Sequence, residues 1–162
     1  MPRTRADDRD AIVRQVYAYC RSVDRMDVEL GYSIWHEDGE ADYGALFRGS
    51  GRGLIDWATQ AHAVYISQFH QVSNVSVILD GDKAASESYV TAALRSETDG
   101  LIMQTTICGR YVDRWSCRHN RWAIDKRVYL HDFDEIRETT SSRIHSPAQR
   151  DRSDPSYAIL DI

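Results

Sequence analysis

The chain has 162 residues, 42% of them hydrophobic and 28% charged, with a formal net charge of −5. That length suits one domain around one core, and the hydrophobic share excludes a wholly disordered chain. The acidic balance, with its arginines scattered rather than massed, argues against a nucleic-acid partner, and no apolar run approaches the ~18–20 residues that cross a membrane. Asp7 and Asp8 can cap a first helix, along which Ile12, Val13, Val16, Tyr17, Cys20 and Val23 recur at helical spacing until about Arg25. A short second helix is predicted over Val28 to Trp35, a turn over His36 to Glu40, and a short strand over Ala41 to Phe47. Gly49 to Gly53 forms a loop without the spacing of a dinucleotide fingerprint, and Leu54 to Gln68 is a third helix.

After it the period changes from helical to alternating. Strands are predicted over His70 to Leu79, Lys83 to Ser96, Leu101 to Ser116 and Trp122 to Leu130, with turns at Asp80-Gly81-Asp82, Thr98-Asp99-Gly100 and His119-Asn120. Residues 1–138 form the domain, and 139–162 are expected as an extended tail whose Tyr157, Ile159, Leu160 and Ile162 can dock on a neighbouring subunit. Helices followed by an antiparallel meander make an α+β fold, and long curled strands under helices leave a cavity.

The three cysteines, Cys20, Cys108 and Cys117, have no disulfide or zinc spacing and read as reduced thiols of a cytoplasmic protein. The charged start of the chain has no apolar core of a signal peptide. His36-Glu37-Asp38 and His131-Asp132-x-Asp134 lack a recognised metal spacing, so neither metal nor cofactor is expected.

Two residues invite chemistry. Counted at about 100° per residue, Asp24 falls on the stripe of Val13, Tyr17 and Cys20, where a carboxylate must find a partner. Alternatively the helix has already ended and Asp24 is a solvated terminal residue. His70 opens an alternating strand and shares a face with Val72, Asn74 and Ser76. It is either a general base or a structural histidine, and nothing local shows that it meets Asp24.

The segments Tyr19 to Asp24, Ser33 to Asp38, Phe69 to Asn74 and Trp122 to Arg127 resemble the SnoaL-like branch of the nuclear-transport-factor-2-like superfamily. The resemblance implies a cone-shaped (cystatin-like) α+β fold, with a curved sheet and three N-terminal helices around a pocket. In lyases of that branch, the scytalone and bile-acid dehydratases and hexachlorocyclohexane dehydrochlorinase, a helix-end aspartate supports a histidine base. By resemblance Asp24 and His70 take those roles. Tyr19, Tyr43 and Arg127 are implied as further catalytic residues. Trp35, Val90, Ala92, Met103, Thr105 and Ile107 are implied to line the substrate pocket. Ala92 stands where the bile-acid enzyme has a second catalytic aspartate, so this wall is apolar. Tyr19 lies about 140° round the helix from Asp24, so both reach one pocket only if the helix end unwinds.

The implied activity is a cofactor-independent dehydratase-like lyase or an isomerase acting on a small hydrophobic, cyclic or aromatic substrate, in a homo-oligomer such as a trimer. The same superfamily implies two alternatives: the non-catalytic small subunit of an aromatic-ring-hydroxylating dioxygenase, or a small-molecule-binding module.

Overall fold

A computed structural model describes residues 4–141, 144 and 146–160. The chain opens with α1 (Arg5–Asp24), whose start is fixed by a capping box. The Thr4 hydroxyl accepts from the Asp7 N–H and the Asp7 carboxylate accepts from the Thr4 N–H, at 3.2 and 3.0 Å. Asp8 is instead buried, accepting from the Trp122 indole at 2.8 Å. The buried stripe of α1 runs Asp8, Ile12, Val16, Tyr19, Cys20 and Val23. It is rotated from the predicted one, for Tyr17 is half exposed. Tyr19 rather than Tyr17 therefore faces the sheet.

Next come α2 (Val28–Ser33), β1 (Trp35–Asp42), β2 (Arg48–Ser50) and α3 (Gly51–His62). The predicted turn at His36 to Glu40 is part of β1. The strand breaks register between Trp35 and Glu40 around a bulge at Gly39, where a Cβ would sit 2.8 Å from the Ile124 carbonyl oxygen. The chain from Tyr43 to Phe47 is a turn rather than strand, closed by the Tyr43 N–H to the Phe47 carbonyl at 2.8 Å. Helix α3 starts earlier than predicted because the Ser50 hydroxyl caps the Gly53 N–H at 3.0 Å. It also stops earlier, at His62: Ile66 already donates to the Arg95 carbonyl at 2.7 Å, and Gln68 pairs with Leu94 in the sheet.

Four long strands follow, β3 (Ser67–Asp80), β4 (Lys83–Thr98), β5 (Leu101–Arg118) and β6 (Arg121–Thr139). They complete a six-stranded sheet in the order β2-β1-β6-β5-β4-β3, in which β1 and β6 are parallel and the other neighbours antiparallel. This is the α+β fold of cystatin-like, nuclear-transport-factor-2-like proteins. The core lies between the concave face of the sheet and the three helices, around Ile12, Val16, Leu54, Trp35, Trp115 and Ile124.

The alternation of β3 inverts midway. A bulge between Ser73 and Ser76, with Asn74 at φ 51°, absorbs one residue. His70 and Val72 face inward before it, and Val75, Val77 and Leu79 after it, so Asn74 and Ser76 are exposed rather than sharing the face of His70.

The last described segment folds back on its own chain. In α4 (Pro155–Leu160), Tyr157 is buried and donates to Asp27 at 2.8 Å, while Ile159 and Leu160 remain exposed. The sequence-predicted arm toward a neighbouring subunit is thus partly a strap over α1; Ile162 lies outside the described residues. Among the described residues no helix is long and apolar enough to cross a membrane.

Gly51 allows the Trp35 ring to lie against the start of α3, where an added Cβ would meet ring carbons at 2.1 Å. Gly51→Ala is expected to lower stability by about 1–3 kcal/mol through overpacking, measured by urea unfolding.

Candidate functional site

The last turn of α1 carries Asp24 to the inner edge of β3. One carboxylate oxygen lies 2.7 Å from His70 Nδ1, and the other accepts the backbone N–H of His70 at 3.0 Å. Both side chains are shielded from solvent, with 7% and 12% exposure for His70 and Asp24. A carboxylate bonded to Nδ1 holds that nitrogen as the donor and leaves Nε2 as the acceptor for a proton.

The His70 ring forms part of the wall of a cavity of about 290 Å³ between the helices and the sheet. The apolar wall comes from Val23, Ala58 and Ala61 on the helices, Leu46 in the turn after β1, and Val90, Ala92, Leu94 and Ile107 on the sheet. Asp24 is not in that wall. Helix α1 stays wound through Asp24, and only Tyr19 faces the cavity; the two need not share a direction, since Asp24 acts from behind His70. On its outer side His70 borders a groove lined by Tyr17, Arg21, Asp24, Phe69 and Gln71.

A tyrosine cluster forms another part of the same wall. The Tyr19 and Tyr43 hydroxyls are 2.9 Å apart. Tyr111 packs edge-on against Tyr19 at 5.4 Å, and Tyr129 stacks on Tyr43 at 5.1 Å. Burial pushes the phenols of Tyr19, Tyr43 and Tyr111 above their ordinary value, and that of Tyr129 to about 12. All four are therefore neutral hydrogen-bond donors near pH 7. Beyond Tyr43 and Tyr129 the cavity continues into an open vestibule of about 700 Å³ carrying Thr105, Arg110, His131, Asp132 and Asp134. There the Tyr129 hydroxyl is 3.3 Å from His131 Nδ1, and His131 Nε2 is 3.1 Å from Asp134.

Arg127 and Trp35 are not in the cavity wall. Both are fully buried one layer behind it. Arg127 donates to both carboxylate oxygens of Asp113 at 2.7 and 2.8 Å and lies 4.2 Å from the ring centres of Tyr19 and Tyr111. Burial opposes its charge, but Asp113 holds the guanidinium well above its ordinary value. Its effect on the cavity is exerted through the tyrosines. Of the other predicted pocket residues, Val90, Ala92 and Ile107 line the cavity, Thr105 lines only the vestibule, and Met103 lines neither.

Sequence reasoning did not single out Tyr111, Tyr129, Trp57, Tyr65 or Asp113, nor assign a role to His62. Alternation from Ile107 through Gly109 to Tyr111 and Asp113 carries the first of these signals. His62 stacks on His70 at 5.7 Å and 20°, and its Nδ1 is buried without a partner. Burial, then His70 and Arg150, hold its imidazole down at about 4, so it is neutral at pH 7. Among the described residues no cluster of three or more potential ligands that could hold a metal ion occurs.

The profile of the SnoaL-like domain matches residues 4–128. The chain belongs to the SnoaL-like family. No curated protein matches it in sequence. Among solved structures, it is similar to hexachlorocyclohexane dehydrochlorinase LinA-type3 from Novosphingobium barchaimii, at 16% identity and TM-score 0.71 over 88% of this chain and 97% of that one. It is also similar to a protein named as a candidate scytalone dehydratase from Novosphingobium aromaticivorans, at 19% identity and TM-score 0.69 over 86% and 95%. A third is Kfla4162 from Kribbella flavida, at 14% identity and TM-score 0.73 over 82% and 95%. At these identities the likeness is one of fold.

Two predictions arise from this geometry. Asp113→Ala leaves a buried guanidinium unpaired and is expected to lower stability by about 3–5 kcal/mol in urea unfolding. The buried phenols ionise later in the folded chain than in the unfolded one. The stability they contribute is complete below about pH 10 and is lost as pH rises through their raised folded values. Absorbance at 295 nm should therefore show Tyr19, Tyr43 and Tyr111 ionising only above pH 10, and Tyr129 near pH 12.

Proposed function

We propose that this SnoaL-like chain is a cofactor-independent lyase or isomerase in which His70 is the general base. The observation that carries the reading is the double engagement of Asp24 with His70, at 2.7 Å to the ring and 3.0 Å to the backbone, beside a largely apolar cavity. The first bond fixes the tautomer and stabilises the imidazolium; the second fixes where the ring starts.

In this mechanism His70 Nε2 takes a proton from a carbon next to a carbonyl. The C–H electron pair moves toward the carbonyl oxygen, and in this reading the hydroxyl pair of Tyr19 and Tyr43, one donating to the other at 2.9 Å, leaves one O–H to donate to the developing charge. In an elimination the enolate pair then forms the carbon–carbon double bond, and a leaving hydroxyl departs as water with the proton returned by His70. In an isomerisation the same proton is returned to another carbon. Arg127, paired with Asp113, supports the tyrosine hydroxyls from behind and does not touch the substrate.

The charge pattern supports a neutral substrate. Apart from its two histidines, every side chain lining the cavity is apolar or a neutral aromatic. A carboxylate or phosphate would lose its hydration there with no cation to meet it. The wall of Val90, Ala92, Leu94 and Ile107 suits a ring, with aromatic faces from Trp57 and Tyr65. The reading is therefore of an uncharged cyclic carbonyl compound, with the vestibule receiving any polar substituent.

The test is exchange of the carbon-bound proton next to the carbonyl in D2O, followed by NMR across a panel of neutral cyclic hydroxyketones. His70→Ala and Asp24→Asn are each expected to slow the exchange by about 10²–10⁴-fold with an unchanged circular dichroism spectrum. Tyr43→Phe should lower the rate more than it weakens binding. Exchange at the wild-type rate in folded His70→Ala would eliminate this mechanism.

A further inference from the structure

The segment 146–160 lies beyond the stretch matched by the family profile, which ends at residue 128, yet it reaches the end of α3, where His62 stacks on the dyad histidine. Arg150 forks onto the end of α3, one Nη donating to the Tyr65 carbonyl and the other to the His62 carbonyl at 2.7 Å. The second Nη also lies 3.2 Å from Met26 Sδ, just past the end of α1. The segment is tied down on α1 as well. Tyr157 donates to Asp27 at 2.8 Å, and Asp154 pairs with Arg25 at 3.6 Å.

His62 is thus held between two groups. On one side its ring stacks at 5.7 Å on His70. On the other its own carbonyl accepts from a guanidinium. Two imidazoles this close cannot both carry a proton without repulsion, so something must decide which one does. Asp24 is bonded to His70, and the buried Nδ1 of His62 has no partner. The remaining charged or polar groups near His62 are the Gln68 amide and the Tyr65 ring, with Asp24 acting at longer range.

We propose that the C-terminal segment is a working part of the site: Arg150 sets a positive charge beside His62, so that in the stacked pair the proton is held by His70 alone. Arg150 is a positioning residue that acts through His62. The proposal rests on His70 being the base. With His62 kept neutral, the proton taken from carbon has one destination, the ring nearest Asp24 and the cavity. A neutral His62 also offers the cavity a hydrogen-bonding wall without charge.

The test is a pH titration of the histidine Cε1–H NMR signals of the full chain, with His62 assigned by its loss in His62→Asn. In the wild type His62 is expected to titrate at about 4. Arg150→Gln keeps a donor for the carbonyls but removes the charge, and should raise that midpoint by about one pH unit. Arg150→Lys keeps the charge and should leave it within about half a unit. An unchanged midpoint in Arg150→Gln overturns the proposal. So does a rise in Arg150→Lys, an arm that remains decisive if the glutamine variant does not fold. Failure of His70 as the base would appear separately, as undiminished exchange in His70→Ala.

Discussion

The carboxylate of Asp24 joins two halves of the molecule that have no covalent reason to meet. It ends α1 and, 46 positions later in the chain, it accepts both the backbone and the ring of His70. A carboxylate so enclosed is tolerated only with its oxygens engaged, because an unpartnered buried charge costs several kcal/mol. That requirement fixes how far α1 slides along the sheet, which fixes where Tyr19 sits and how close α3 can bring His62. The floor of the cavity follows from one ion that must be satisfied.

The tyrosine cluster is governed by the same constraint in another form. Arg127 and Asp113 are both wholly buried, and they neutralise one another through two parallel hydrogen bonds. Tyr19 and Tyr111 cover the guanidinium with their rings, so its charge is spread into the aromatic layer rather than presented to the cavity. The cavity therefore has polar groups set among apolar sides while no permanent charge lines it. Such a chamber favours reactions in which charge appears only at the transition state, because donors already in place need no reorganisation when it does.

Much of this was legible in the sequence, and what was not has a common cause. The hairpins were visible because their turns need residues that accept positive φ, and Gly81, Asp99, Gly100, His119 and Asn120 all take it. Asp24 and His70 stood out as polar residues on apolar faces. Their meeting is a long-range contact, which periodicity cannot show; the family resemblance was needed to pair them. Tyr111 and Tyr129 sit opposite each other across β5 and β6, but only the strand register reveals this, and that register shifts at a bulge after Cys108. Gly39 and Asn74 carried real signals of irregular backbone, yet a bulge and a turn look alike in sequence. The folded-back segment was missed because its partners, Met26, Asp27 and His62, lie over 80 positions away.

His70 is the one described residue that borders both the cavity and the outer groove beside Phe69 and Gln71. A ring set into a wall this way divides two environments, a largely apolar one inside and a polar one with Arg21, Asp24 and Gln71 outside. Asp24, 2.7 Å from Nδ1, lines only the outer side, so its carboxylate stands behind the imidazole and outside the cavity. A change in the surroundings of that carboxylate can therefore reach the ring from behind without altering any residue of the cavity wall.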